Sequence, residues 1–213
     1  MEQLIKEAVR YLGYGKNAVD AQTLELIENS FRELQSAASR KSVYRIFHLS
    51  YMGGEQICFG NLEVKSKSLG KNLLGCDKIV LFGATLGVGV DQLLFRSSKT
   101  DMAKAVVLQA CAAALLEEYC DECQDKIAEE MKKEDRFLRP RFSPGYGDFS
   151  IECQSNVIQM LDAAKTIGLT ITESFMMVPS KSVTAVIGAS KSAVQCHRQG
   201  CEVCGKRDCI YRR

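Results

Sequence analysis

Residues 78–91 read KIVLFGATLGVGVD. The segment opens with a continuous apolar run bounded by glycines, the pattern of a short strand buried on both faces. How the glycines after it are read decides the fold class. A strand running into Gly83, Gly87 and Gly89 raises the question of a phosphate loop, and with it a doubly wound α/β sheet. GATLGVGVD has neither the Lys-Ser/Thr of a P-loop nor the glycine spacing of a dinucleotide fingerprint. The glycines are therefore read as a close-packed strand-to-helix turn.

Upstream, Leu4, Ile5, Ala8, Val9 and Leu12 recur at helical spacing, as do Leu24, Ile27, Phe31 and Leu34, which predicts two packing helices. From Ser42 the chain turns to β-formers, then to Gly53-Gly54 and QICFGNLEVKS, which predicts a hairpin. A brief helix is expected over Ser68–Leu74. Downstream, Asp101 is placed to cap a long helix through MAKAVVLQACAAALLEEYCDECQDKIAEEMKK, with a buried Ala-rich middle. VIQMLDAAKTIG (157–168) predicts one further amphipathic helix, ended by Gly168. LTITESFMMV (169–178) and SVTAVIGAS (182–190) are expected to be two strands linked by Pro179-Ser180-Lys181. Helices and strands come in blocks without βα alternation, which favours an α+β fold. The expected organisation is an N-terminal helical segment (1–40), an α+β core (41–190) and a Cys-rich tail (191–213).

The 213 residues are 46% hydrophobic and 25% charged, which excludes wholesale disorder, and a formal net charge of +2 gives no field suited to nucleic acid or a membrane surface. The longest apolar runs, Ile79–Leu86 and Ala110–Leu116, fall well short of the ~20 residues of a membrane span. MEQLIKEAVRYLGYG carries acids within its apolar pattern, unlike a signal peptide, so a cytoplasmic location is expected. Ten cysteines in a reducing compartment point to buried thiols, metal ligands or redox groups before a disulfide framework.

RPRFSPGYGDF (139–149) holds two of the three prolines beside two arginines and a tyrosine. Its prolines and glycines shape a loop, and a guanidinium on a rigid loop beside a phenol suits a ligand with a carboxylate and a flat ring. An ordinary surface turn would carry the same letters. On the long helix, Glu117, Glu118, Asp121, Glu122 and Asp125 read as a solvated acidic belt. Glu117 stands apart because it directly follows the buried Ala/Leu segment and there needs a partner such as Arg141 or a ligand ammonium. Cys120 and Cys123 lie three apart on one helix face and are read as small buried thiols. His48 and His197 are isolated and support no catalytic set. Cys196, Cys201, Cys204 and Cys209 form C-x4-C-x2-C-x4-C among basic residues, a spacing that can hold zinc or an iron-sulfur cluster; a terminus with reactive thiols is the alternative.

The loop from Arg141 through Pro144 and Gly145 to Tyr146, the segment VIQMLDAAKTIG and then LTITESFMMVPSKSV resemble, in this order, the activation domain of cobalamin-dependent methionine synthase. That family shows an R-x-x-x-G-Y loop, a helix ending in Ile-Gly, and a Leu-Thr-Glu-Ser-Phe segment leading to Pro and Ser-Val. The resemblance is tight over residues 139–183. It implies a single α+β domain with a mostly antiparallel sheet and long packing helices that binds S-adenosylmethionine. The function implied is reactivation of a corrinoid methyltransferase: a cobalamin held on a partner protein is reduced by one electron, from a donor such as flavodoxin or ferredoxin, and methylated from S-adenosylmethionine. By position, Arg141 would hold the ligand carboxylate, Glu117 its ammonium, and Pro144, Gly145 and Tyr146 would line the site. Ile187 stands where the family offers a tyrosine. The alternative is a metal- or cluster-bearing redox or adaptor protein that docks a corrinoid module without binding S-adenosylmethionine.

Overall fold

The computed structural model describes residues 1–14, 18–53 and 55–192. Strand β4 (Lys78–Thr85) lies at the centre because both of its faces are apolar: Val80, Phe82 and Ala84 enter one core, Ile79 and Leu81 the other. It pairs antiparallel with β1 (Lys41–Gly53) on one side and β8 (Ser182–Ser190) on the other. β2 (Gln56–Phe59), β3 (Leu62–Lys65) and β5 (Phe137–Leu138) complete an antiparallel sheet of order β3-β2-β1-β4-β8-β5. The fold is α+β, as the block pattern predicts.

Helices cover both faces. On one lie α1 (Glu2–Tyr11), α2 (Ala21–Ala37), α4 (Val88–Thr100) and the 31-residue α5 (Met102–Lys132). On the other lie α3 (Lys67–Leu73), α6 (Cys153–Leu161) and α7 (Ala163–Thr166). Asp101 caps α5 as expected, accepting from the Lys104 amide at 3.0 Å. Ala105, Ala110, Ala112 and Ala114 are buried, and these short side chains let the middle of α5 lie close to the sheet and to α1 and α2.

The glycine-rich turn after β4 meets protein, not a ligand. Gly87 has φ +85°, and a Cβ there would lie 3.0 Å from the Ser39 carbonyl; at Gly89 it would collide with the carbonyl of Ala37. The Ser39 amide donates to the Leu86 carbonyl at 2.8 Å. The turn is shaped to receive the C-terminal end of α2.

Two segments differ from expectation. VIQMLDAAKTIG is not one helix: Asp162 adopts a left-handed conformation (φ 52°) and divides it into α6 and α7. LTITESFMMV is not one strand but a hairpin of β6 (Thr170–Ile171) and β7 (Met177–Val178). The Thr172 hydroxyl accepts from the Met176 amide at 3.2 Å and Phe175 takes φ 61°, so the chain reverses with no glycine or proline in the turn.

Asp148 ties the RPRFSPGYGDF loop to α3. Its carboxylate accepts from Ser66 Oγ (2.7 Å) and from the amides of Lys67 (2.7 Å) and Ser68 (2.9 Å). These bonds, led by the Ser66 hydroxyl, hold its pKa well below the ordinary 3.8. A depressed carboxylate pKa contributes stability that is present above the unfolded value and lost as pH falls through the folded one. Wild type should therefore melt above Asp148→Asn at neutral pH, with the gap closing as pH drops below 3.8; a gap constant with pH would refute the linkage. Separately, Gly89→Ala should cost about 1–3 kcal/mol in urea unfolding, because carbonyl backbone cannot yield as a side chain can. An unchanged midpoint would mean that the turn opens freely.

Candidate functional site

The outer edge of β8 shapes the site. Phe137 pairs with Ser190 and Leu138 with Ala189, and the Arg139 amide donates to the Gly188 carbonyl at 2.7 Å. Phe142 then pairs with Val186, bonded in both directions at 2.9 and 2.8 Å. Pro140 and Arg141 thus stand opposite Ile187 alone, which makes a β-bulge. Proline is tolerated there because a bulge on an edge strand leaves no ladder bond for it to break.

The extra residue sends the two arginines to opposite faces, where regular alternation would put both on the same one. Arg139 is buried on the α3 side, and its Nη2 donates to the Leu74 carbonyl at 3.3 Å. Arg141 turns to α5. Its Nη2 donates to Glu117 Oε2 at 3.0 Å and Asp121 Oδ1 at 2.8 Å, and its Nη1 to Gln124 Oε1 at 2.9 Å. Glu117, Asp121 and Gln124 are four and three residues apart and so share one stripe of the helix. Burial opposes the charge of Arg141, but its bond to Asp121 and the surrounding negative charge outweigh this and raise its pKa. Behind it, burial pushes the Cys120 thiol up to about 12, so it is an inert core group.

Past Phe142 the chain leaves the edge. The Tyr146 amide donates to the Ser143 carbonyl at 3.2 Å, and Gly145, at φ +91°, donates to the Phe149 carbonyl at 2.8 Å. No described residue pairs with the outer edge of β8 from Ser182 to Thr184. The alternation that aims the backbone groups of Val186 at Phe142 aims those of Thr184 to the same side of the strand. A cleft of about 370 Å³ lies there, walled by Pro144 and Tyr146 of the loop, Gln154 of α6, Phe175 and Met176 of the hairpin, and Thr184. Gln154 Oε1 accepts from the Thr184 hydroxyl at 2.9 Å. Asp91 of α4 takes two bonds at 2.7 Å, from the amide and the hydroxyl of Ser180, and so fixes the far wall.

The structure brings Glu117 and Arg141 together as an ion pair and places Pro144 and Tyr146 on the cleft wall, with Gly145 in the turn between them. The ion pair is not part of the cleft lining; Arg141 precedes the lining residue Ser143 by two positions along the chain. Ile187 is buried in the core beneath α5 and does not reach the cleft. Asp121, Gln124, Gln154, Thr184 and the hairpin tip are additions to the sequence reading. The first two share the helical spacing of Glu117, the signal that could have found them; the others come together only through the sheet. Cys196, Cys201, Cys204 and Cys209 lie outside the described residues. Among the described residues, no cluster of His, Cys, Asp or Glu is arranged to hold a metal, and no helix is long and apolar enough to cross a membrane.

A search of curated protein sequences finds no match. Among solved structures, the chain is similar to the MetH reactivation domain crystallised with AdoHcy bound, at a TM-score of 0.61 over 89% of this chain and 77% of that one. Identity is 15%, so the likeness establishes a shared fold. A family model for the activation domain of vitamin B12-dependent methionine synthase matches residues 64–198, a span that takes in the bulge, the cleft and all but the first strands of the sheet. With more than half of its length matched, this chain belongs to the family of vitamin B12-dependent methionine synthase activation domains.

Proposed function

We propose that the outer edge of β8 binds S-adenosylmethionine and presents its methyl group to a corrinoid carried on a partner module. One observation carries the reading: a guanidinium aimed by the bulge meets a carboxylate of α5 two residues along the chain from the wall of an uncharged cleft. Arg141 and Glu117 offer the two opposite charges that an amino-acid end requires. The described residues lining the cleft bear no formal charge and include two aromatic rings and two thioethers, walls suited to a nucleoside and a sulfonium. Its volume of about 370 Å³ falls in the ordinary range for small-molecule sites.

When bound, S-adenosylmethionine supplies the methyl group that traps the one-electron-reduced corrinoid as its methyl form. No proton moves in that transfer, so the work of this chain is to place the ligand. Arg141 fixes the carboxylate, Glu117 the ammonium, and Tyr146 and Thr184 the rest, while Asp91 and Asp148 keep the walls in place. The MetH reactivation domain, a relative in fold, is crystallised with AdoHcy bound, which supports a ligand of this class. The electron would come from a flavodoxin- or ferredoxin-type donor, or through an iron-sulfur cluster held by Cys196, Cys201, Cys204 and Cys209.

Calorimetric titration of anaerobically prepared protein with S-adenosylmethionine tests the reading. Binding should weaken on the order of 10- to 100-fold in Arg141→Ala, the equivalent of losing a charge-assisted pair of bonds worth about 1.5–3 kcal/mol. Equal affinity in wild type and variant would move the ligand elsewhere. No binding by either would favour an adaptor that docks the corrinoid module without this ligand.

A further inference from the structure

We propose that Asp121 is a built-in competitor that occupies the carboxylate-binding position on Arg141 until ligand arrives. The inference rests on the reading of Arg141 as the ligand's carboxylate receptor. A guanidinium offers a carboxylate two forks, end-on through Nη1 and Nη2 or side-on through Nε and Nη2. Both forks need Nη2. That nitrogen has two hydrogens, and it already serves Glu117 Oε2 at 3.0 Å and Asp121 Oδ1 at 2.8 Å. Gln124 Oε1 occupies Nη1 at 2.9 Å. Neither fork opens to a ligand until one of the two carboxylates lets go.

Exposure decides which one leaves. The Asp121 side chain is 71% exposed and Glu117 42%, so the Asp121 pair is the more screened by solvent and the easier to release into water. Glu117 also has a further task, as the partner of the ligand ammonium. Asp121 has no other described bond through its side chain. The exchange replaces one carboxylate by another, so Arg141 is never left charged and unpaired in a site where its own side chain is only 18% exposed. A ligand offering a single acceptor gains little over what Asp121 already provides. One that offers a full fork together with an ammonium for Glu117 gains on both counts, which makes Asp121 a specificity-determining residue.

The test is titration of the full chain with S-adenosylmethionine at low ionic strength, comparing wild type, Asp121→Asn, Asp125→Asn and Arg141→Ala. An exposed ion pair is worth up to about 1 kcal/mol, so Asp121→Asn should bind about two- to fivefold more tightly, with the gain shrinking as salt is added. Asp125→Asn removes the same charge from α5 one turn away and should bind as wild type does. Unchanged or weaker binding by Asp121→Asn, while wild type binds and Arg141→Ala binds at least about tenfold more weakly, overturns the competitor and leaves the ligand site standing. Equal tightening in Asp125→Asn also overturns it, since bulk charge would then suffice. Failure of both wild type and Asp121→Asn to bind removes the competitor and the ligand site together.

Discussion

Strand β8 is paired to β4 along its inner side from Ser182 to Ala189, while on its outer side pairing ends where Phe142 meets Val186. The site depends on this asymmetry. An unpaired edge ordinarily invites another strand, yet here the edge is short and walled by the 143–149 loop, α6 and the β6–β7 hairpin. The space left beside it, about 370 Å³, is of small-molecule size. The rest of β8 is buried on both faces, so the strand cannot shift to close the gap.

The loop that ends the pairing is held at separate points. Phe142 is bonded to β8, Asp148 to the start of α3, and Phe149 is buried among the residues of the second core. Arg139 grips the far end of α3 through the Leu74 carbonyl. With these anchors the walls stand in place before any ligand binds, which limits the ordering cost of binding. What remains adjustable is the ion-pair cluster on α5, where the half-buried Glu117 and the exposed Asp121 share one nitrogen of a guanidinium whose side chain is mostly buried.

Much of the fold was legible because local chemistry and global packing agree. KIVLFGATLG is apolar on both faces and is buried on both; Asp101 reads as a cap and acts as one. The segments that misled are those where the chain reverses without the usual markers. Helical spacing continues straight through Asp162, although its left-handed backbone breaks the helix, and Thr172 closes a hairpin that has no glycine or proline. The site shows the same division. Glu117 and Arg141 were readable as a pair because a half-buried carboxylate needs a cation. Asp121 read as part of a solvated belt and Gln124 was not singled out, because their partner lies 20 and 17 residues further along the chain. Thr184 and Gln154 meet only because α6 crosses β8, a tertiary fact with no local trace.

The bulge at Pro140 and Arg141 has a consequence for how related chains are compared. If this stretch paired without its extra residue, Arg139 and Arg141 would share a face, and either α3 or α5 would lose its arginine. Insertions and deletions in most surface loops leave the layers of a protein untouched. Here a change of one in length reassigns a guanidinium from one layer to another. Length in this stretch is therefore under the same constraint as side-chain identity, and related chains should be aligned across it by residue count as well as by matching letters.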